Sequence, residues 1–363
     1  MELTNGKISI RQAICLLLLG LGAPSLRVIP NYVSIYSKQA SWITPIIACL
    51  LTVLLIFVWA SLFSKTKESS LYEVYEKVFG KVICNIITVI YIIWAVGLTS
   101  LYLRMYGERI LGAILFNANL ATVLAIMCIL IYFVVNQRID GLGRSAEIFL
   151  AALMIVFTIA FLLVFPNVKL ENVYPVTYYD TLPILTGSAP VLALMCYLTI
   201  VTILGDKISD KENIKKFGIK AFFIFSIFLI MLILVTIGLF GHRMTSQFIF
   251  PYFSTLKSIK IMESIERVES LVISTWISSD FAIISLFSIA TLTLIQKLFK
   301  MKSYKKVSLW FILFIFFLTV SFASNIYKME YWSRLVAVPV NIILFWGIPV
   351  IAWIVGKVRK IVL

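Results

Sequence analysis

The sequence predicts an all-α integral membrane protein, a single transmembrane domain over residues 1–363 with about ten transmembrane helices. Of the 363 residues, 61% are hydrophobic and 13% are charged, whereas a soluble domain carries about 25% charged residues. Apolar runs recur along the chain, and a helical run of about 20 residues crosses about 30 Å of hydrocarbon. The ten runs are Ile8–Tyr36, Trp42–Phe63, Val82–Tyr106, Leu120–Val135, Ala146–Phe165, Leu182–Leu204, Phe217–Phe240, Leu271–Leu298, Val307–Tyr327 and Leu335–Val355.

The basic residues predict that both termini face the cytoplasm. With the N-terminus inside, twenty-one of the 32 Lys and Arg residues fall in inside segments and nine in outside segments. Cytoplasmic loops of membrane proteins carry such an excess of Lys and Arg. Between the second and third spans, Ser70–Phe79 places apolar residues at helical spacing, which predicts a short amphipathic helix in the inner interface.

Composition and motifs exclude several classes of function. The net charge of +15 does not predict a nucleic-acid surface, because the basic residues lie in short loops between apolar runs. The single histidine, His242, lies in an outer loop, and no catalytic signature accompanies it, so we expect no enzyme. Five cysteines lie inside apolar runs without a CxxC pair, which indicates reduced packing residues and neither a metal site nor a cofactor site. They are Cys15, Cys49, Cys84, Cys128 and Cys196.

The first span carries Gly20, Gly22 and Pro24 near its middle. Proline removes a backbone donor and suits the first position of a new helix, so one interpretation is two half-helices with an unwound hinge at Gly20–Ala23. Free backbone groups in lipid are tolerated where they line a cavity, and the amides of the second half-helix would favour an anion such as a carboxylate. The alternative is a proline kink repaired by neighbouring groups.

A duplicated five-helix unit would break the sixth span as well. Thr186–Pro190 echoes the glycine–proline pattern of the first span, but it lies at the start of the sixth run and not at its centre. A site at the middle of the membrane needs the break nearer Met195–Thr199, and we predict it there.

Asp280 lies about ten residues into the eighth span, where a lipid-facing carboxylate would cost about 2.5–3.5 kcal/mol. It must therefore face protein, water, a cation or a ligand. A functional carboxylate and a paired structural carboxylate are both open alternatives.

Several segments, in order along nearly the whole chain, resemble the B subunits of spore germinant receptors, the endospore germination permease family. The most specific match is Ile265–Ser270, with Trp276 following it inside the eighth span. The other matching segments are Lys7–Gln12, Gly22–Pro30, Asp140–Glu147 and Tyr174–Val176.

This resemblance implies a member of the amino acid–polyamine–organocation superfamily with a LeuT-like fold. The fold would be a five-plus-five inverted repeat, over about 7–166 and about 180–357, with helices 1 and 6 broken. The protein would lie in the spore inner membrane and bind a small germinant, often an amino acid. Its partners would be a germinant receptor A subunit and a lipoprotein C subunit.

The resemblance also implies a ligand site between the centres of helices 1, 3, 6 and 8. Family members commonly carry a small residue and a glutamate at the centre of helix 6, where this chain has Tyr197 and Thr199, so its ligand chemistry would differ. Ser278 and Ser279 resemble sodium-coordinating hydroxyls of related transporters, with bonding back to their own helix as the alternative. Carried onto this sequence, the site residues are Gly20, Gly22, Ala23, Pro24, Trp94, Cys196, Tyr197, Leu198, Thr199, Asp280, Ala282 and Ile283.

Two functions follow as hypotheses. The first is a germinant-sensing subunit that binds its ligand at mid-membrane and signals to partner subunits. The second is an amino acid secondary transporter on the same fold, which would need a coupling ion. The predicted fifth span contains no lysine that could carry a proton, which disfavours proton coupling.

Overall fold

The computed structural model describes residues 6–64, 70–113, 115, 117–258, 265–321 and 326–361. The side chains of residues 113, 265–271, 273, 326 and 327 are outside this description, so the segment Ile265–Ser270 is known as backbone only. The α-helices are α1 Ile10–Ser37, α2 Thr44–Phe63, α3 Leu71–Phe79, α4 Lys81–Ala113, α5 Leu120–Asn136, α6 Ile139–Val164, α7 Thr181–Met195, α8 Leu198–Ile203, α9 Ile214–Thr245, α10 Pro251–Lys257, α11 Ile265–Leu298, α12 Lys305–Ser321, α13 Ile326–Trp332, α14 Val338–Ile342 and α15 Ile348–Val358.

Seven helical stretches of the described residues are long and apolar enough to cross a membrane, so the chain is an integral membrane protein. The first stretch contains two predicted spans, because a short 3-10 segment, Lys38–Ile43, joins α1 to α2. The count of ten spans and the five-plus-five repeat stay predictions. The seven stretches are Ile10–Phe63, Lys81–Gly112, Ile139–Asn167, Tyr178–Ile203, Lys211–Thr245, Ser274–Leu298 and Lys328–Val358.

Helix α1 is the element around which the others pack. It contacts α6, α7, α9 and α11, and most of its residues are buried. Its start is defined by a capping box, in which the Ser9 hydroxyl accepts from the Gln12 amide at 3.1 Å and the Gln12 side chain accepts from the Ser9 amide at 3.1 Å.

The predicted hinge at Gly20–Ala23 is wrong, because α1 is one continuous helix with Pro24 and Pro30 inside it. A proline removes only its own backbone donor, and neighbouring helices tolerate this in a membrane span. The glycines serve close packing instead. A Cβ at Gly20 would lie 3.0 Å from the Cα of Ile283 on α11, and one at Gly22 would lie 2.9 Å from the Ser279 hydroxyl oxygen.

The predicted break in the sixth span is confirmed, since α7 ends at Met195 and α8 begins at Leu198. Between them, Cys196 and Tyr197 form a tight turn in which the Tyr197 amide donates to the Leu194 carbonyl at 3.1 Å. The break lies within the predicted interval Met195–Thr199. Pro190 lies inside α7 without interrupting it.

The last span departs from a regular helix in a way that its sequence does not predict. Two π-helical segments, Ser333–Ala337 and Ile343–Gly347, flank α14. Side chains from α4 and α8 bond carbonyls of the second segment: the Tyr91 hydroxyl donates to Leu344 at 2.5 Å and the Thr199 hydroxyl to Phe345 at 2.6 Å. π-Helical bulges of this kind are frequent at functional sites.

The predicted amphipathic helix between the second and third spans is present as α3. Its apolar residues Leu71, Val74, Tyr75 and Val78 are buried against neighbouring helices, among them α4 and α15. On the other face, the Glu73 carboxylate accepts a hydrogen bond from Lys297 at 2.5 Å. This contact ties α3 to the end of α11.

Candidate functional site

A small cavity lies where the break between α7 and α8 faces α1, α4 and the last span. Its volume is about 30 Å³, which is room for little more than one water molecule. The lining includes Pro24 of α1, Tyr102 of α4, Tyr197 at the break, Ser333 and Asn341. Polar side chains from α4, the helix break and the last span therefore meet at this cavity.

A chain of hydrogen bonds runs along one wall of this cavity. The hydroxyls of Tyr102 and Tyr197 lie 3.0 Å apart, and the Asn341 amide donates to the Tyr197 hydroxyl at 2.8 Å. The Trp94 indole donates to the Asn341 carbonyl oxygen at 2.8 Å. Because Asn341 both donates and accepts, its side-chain orientation is fixed and the chain links α4, the helix break and α14.

The helix break is held against the last span by further side-chain bonds. The Cys196 thiol donates to the Asn341 backbone carbonyl at 3.6 Å. The Thr199 hydroxyl donates to Phe345 and accepts from the Trp59 indole at 3.1 Å. Movement of the break would therefore be transmitted to α14 and to the π-helical segment Ile343–Gly347.

One end of the cavity is closed by a buried ion pair. Arg27, only 2% exposed, places its Nη2 2.9 Å from the Glu330 Oε1, and the Tyr32 hydroxyl donates to the Glu330 Oε2 at 2.7 Å. The Arg27 Nη1 is buried and has no hydrogen-bond partner among the described residues. A buried donor left without a partner costs about 1–3 kcal/mol, so this nitrogen is suited to receive an anionic group.

A second, wider cavity of about 230 Å³ lies beyond the Arg27–Glu330 pair. Glu330 and Arg334 line it, and Val28 and Tyr32 line both cavities. It lies near the C-terminal ends of α1 and α9, which the distribution of basic residues predicts to be the outer side. The ion pair therefore lies between the inner cavity and this second cavity, which we call the vestibule.

Asp280 belongs to a different buried cluster. It contacts Arg109 of α4 as an ion pair, both side chains being 4% exposed, and the Arg109 guanidinium lies 5.0 Å from the centre of the Trp276 ring. Neither charged group lines the inner cavity. This geometry favours the paired structural carboxylate over a carboxylate that contacts ligand.

Of the two serines beside Asp280, Ser278 donates to the Ser274 carbonyl at 3.2 Å, which is the bond back to its own helix. Ser279 is buried, and its hydroxyl has no partner among the described residues. In the part of the chain that the structure describes, no group of three or more His, Cys, Asp or Glu residues could hold a metal ion.

The structure brings together only some of the site residues named from the sequence. Pro24 and Tyr197 line the inner cavity. Trp94 and Cys196 bond to Asn341, which also lines it, and Thr199 bonds to the Phe345 carbonyl. Asp280 pairs with Arg109. The remaining six are buried or close-packed between helices and do not line the cavity: Gly20, Gly22, Ala23, Leu198, Ala282 and Ile283.

Four residues of the two cavities escaped the sequence analysis: Arg27, Tyr102 and Asn341, which line the inner cavity, and Glu330, which lines the second one. Arg27 and Asn341 each carry a signal that could have found them, since a cationic or amide side chain inside an apolar span is costly unless it is paired or functional. Nothing in the sequence pattern indicates that Glu330 is the partner of Arg27, because the two are brought together only by the fold.

Comparison with known proteins identifies the family. A family profile described as spore germination protein matches residues 7–328. The chain belongs to the spore germination protein family. It is 23% identical to Spore germination protein KB of Bacillus subtilis (strain 168) over 332 residues, 88% of this chain and 86% of that protein. It is 22% identical to Spore germination protein YndE of the same organism, over 82% of this chain and 83% of that protein.

Solved structures show the fold of this family member. MhsT in complex with L-phenylalanine superposes with a TM-score of 0.65 at 13% identity, covering 92% of this chain and 89% of that chain. A Na+-coupled sialic acid symporter superposes with a TM-score of 0.65 at 12% identity, covering 94% of this chain and 79% of that chain. The LeuT-like fold that the sequence resemblance implied is thus shown, and none of these relatives or neighbours is named as an enzyme.

Proposed function

We propose that this chain is the germinant-sensing subunit of a spore germination receptor and binds an amino-acid-like molecule in the inner cavity. The observation that carries the proposal is the buried Arg27, whose Nη1 has no partner among the described residues, at a cavity beside the helix break. Membership of the spore germination protein family supports a role in germination.

The charges at the cavity suit a zwitterion. The Arg27 guanidinium would take the carboxylate in a charge-assisted hydrogen bond, and the Glu330 carboxylate, 2.9 Å away, would take the ammonium group. Leu98, Leu101 and Met105 supply apolar wall for a side chain. MhsT, which shares the fold, is in complex with L-phenylalanine, and this likeness supports a ligand of the same class.

Binding must change the shape of the protein. A cavity of about 30 Å³ is too small for an amino acid, so a ligand can bind only a more open state and shifts the equilibrium toward it. A molecule of six to nine heavy atoms would then bind in the micromolar to millimolar range. Because Tyr197 and Asn341 connect the cavity to the last span, opening there would be passed to the outside of the bundle.

The signal would pass to partner subunits. By resemblance, these would be the germinant receptor A subunit and the lipoprotein C subunit in the spore inner membrane. The distribution of basic residues supports a cytoplasmic location for both termini of this chain. A sensing subunit does not need to accumulate solute. It needs only a change, on ligand binding, in the surface that those subunits contact.

Calorimetric titration of the purified protein in nanodiscs with a panel of L-amino acids tests the proposal. We expect at least one to bind, and Arg27→Gln to weaken that binding at least tenfold, or about 1.4 kcal/mol. Arg144→Gln, at an exposed arginine on α6, is the matched control and should bind normally. A folded wild-type protein that binds no amino acid would refute the ligand class.

A secondary transporter remains a second candidate, favoured by the fold shared with a Na+-coupled symporter. Uptake of a radiolabelled amino acid into proteoliposomes that contain this chain alone separates the two functions. Accumulation driven by an ion gradient would show transport, whereas binding without accumulation supports sensing.

A further inference from the structure

A third cavity, of about 350 Å³, lies outside the ligand site, between α1, α6 and α9. Ile14 and Leu18 of α1, Leu150 of α6 and Ile224 of α9 form apolar walls. It borders the lipid-facing surface, since Ile148 is 70% and Ile224 44% exposed. We call this cavity, with its lining, the lateral groove.

Two cations stand at one end of the lateral groove, Arg11 at the start of α1 and Lys220 near the start of α9. Arg11 also contacts Glu147 at 3.1 Å, whereas no acidic side chain of the described residues lies within ion-pair distance of Lys220. Together Arg11, Lys220 and Glu147 carry a net charge of +1. The other end of the groove is apolar.

The groove has the dimensions of a lipid site. From Arg11 to Leu18 is seven residues, or about 10 Å along a helix axis, which is most of the depth of one hydrocarbon leaflet of about 15 Å. A helix start with exposed basic residues lies at the level of the lipid headgroups, where Lys and Arg attract anionic lipids. The cationic end thus meets a phosphate while the apolar walls meet an acyl chain.

We propose that the lateral groove binds one anionic phospholipid, with its phosphate on Lys220 and Arg11 and one acyl chain between α1, α6 and α9. A single negative charge on the headgroup would neutralise the mouth of the groove. The bound lipid would stabilise the position of α1, the helix that also contains Arg27. This proposed lipid site is independent of the inner cavity and of the ligand proposed to bind there.

Native mass spectrometry of delipidated protein in detergent, titrated with phosphatidylglycerol or phosphatidylcholine, tests the site. We expect one retained phosphatidylglycerol, bound about tenfold more tightly than phosphatidylcholine, and Lys220→Gln to abolish that preference. Glu147→Gln removes the negative charge and should raise the affinity for phosphatidylglycerol. Ala221→Trp fills the groove and should displace both lipids.

Lys302→Gln is the control for general surface charge, because Lys302 lies in the exposed turn before α12. It should leave lipid binding unchanged. The proposal is overturned if Lys220→Gln keeps the preference for phosphatidylglycerol, or if Lys302→Gln lowers it equally. The melting temperature of each variant, measured in the same detergent, verifies that the compared proteins are folded.

Discussion

The Asn341 amide donates to the Tyr197 hydroxyl at 2.8 Å and so joins the break between α7 and α8 to the irregular last span. Both residues are buried, and both line the inner cavity. The hydroxyl of Tyr102 lies on the other side of the same Tyr197 oxygen, at 3.0 Å. Three elements that would have to move when the cavity opens are therefore connected through one phenol oxygen.

Removal of that oxygen should destabilise the closed state. Tyr197→Phe keeps the ring but leaves the Asn341 amide without its acceptor, and a buried polar group without its partner costs about 1–3 kcal/mol. We expect a lower melting temperature in detergent. Tyr179→Phe removes a hydroxyl from a residue that is 74% exposed and should leave the melting temperature unchanged. Equal melting temperatures for all three proteins would show that the bond contributes nothing.

Two glycine-to-alanine substitutions with opposite expected effects on stability test whether the glycines of α1 serve close helix packing. In Gly20→Ala, the new Cβ would lie 3.0 Å from backbone of α11, and such overpacking costs about 1–3 kcal/mol. Gly97→Ala in α4 meets nothing within 4 Å and should stabilise by about 0.5–1 kcal/mol through helix propensity. Thermal unfolding measures both. If Gly20→Ala were as harmless as Gly97→Ala, the two helices would not be in the close contact described.

The sequence predicts the positions of most helices because hydrophobic run length depends on local residues alone. It also predicts the break at Cys196–Tyr197 from the depth that a mid-membrane site needs. It fails at Gly20–Pro24, since the same residues suit a hinge or a close helix contact, and only the position of Ile283 distinguishes them.

Other parts of the site depend on contacts between distant residues. The Arg27–Glu330 pair joins residues at opposite ends of the chain, and no periodicity encodes such a partner. The π-helical segment Ile343–Gly347 is held by hydrogen bonds from Tyr91 and Thr199 of other helices. The sequence of Leu335–Val355 taken alone therefore predicts a regular transmembrane helix.

The pairing of Asp280 with Arg109 predicts a non-additive effect. Asp280→Asn would leave a buried arginine without its counter-charge, which costs about 3–5 kcal/mol, whereas replacing both partners by apolar residues is often neutral. We expect the melting temperature to fall in Asp280→Asn and to recover in the double variant Arg109→Met with Asp280→Leu. If the double variant is stable but loses amino acid binding, the Arg109–Asp280 pair has a role in binding beyond its effect on stability.

Acid should weaken the attachment of α3. Burial alone would raise the pKa of Glu73, but hydrogen bonds from Lys297 and Ser70 outweigh it and hold that pKa below its ordinary value. A carboxylate whose pKa is lowered by folding stabilises the fold above its unfolded pKa of about 4.3, and that stabilisation is lost as the pH falls further. Glu73→Gln should therefore narrow the difference in melting temperature between pH 6 and pH 4, whereas Glu171→Gln, in an exposed loop, should not.

The ion pair between the two cavities should limit access to the inner one. Ala337 lines the inner cavity and is 4% exposed, so a cysteine placed there by Ala337→Cys, in a Cys15→Ser background, reports entry of a water-soluble thiol reagent. Glu330→Gln removes the partner of Arg27 and the acceptor of the Tyr32 hydroxyl. Loss of about 1.4 kcal/mol from the closed state corresponds to a tenfold larger open population.

We therefore expect Glu330→Gln to accelerate modification of the introduced cysteine about tenfold. Glu108→Gln removes the partner of Arg104 at 2.8 Å, an ion pair that lines neither cavity, and should leave the rate unchanged. The same rate in both variants would mean that the Arg27–Glu330 pair does not separate the vestibule from the cavity. Acceleration by Glu330→Gln but not by Glu108→Gln would locate the barrier to ligand entry at this pair, because both variants lose one buried or half-buried acidic partner of an arginine and only one of them lies between the cavities.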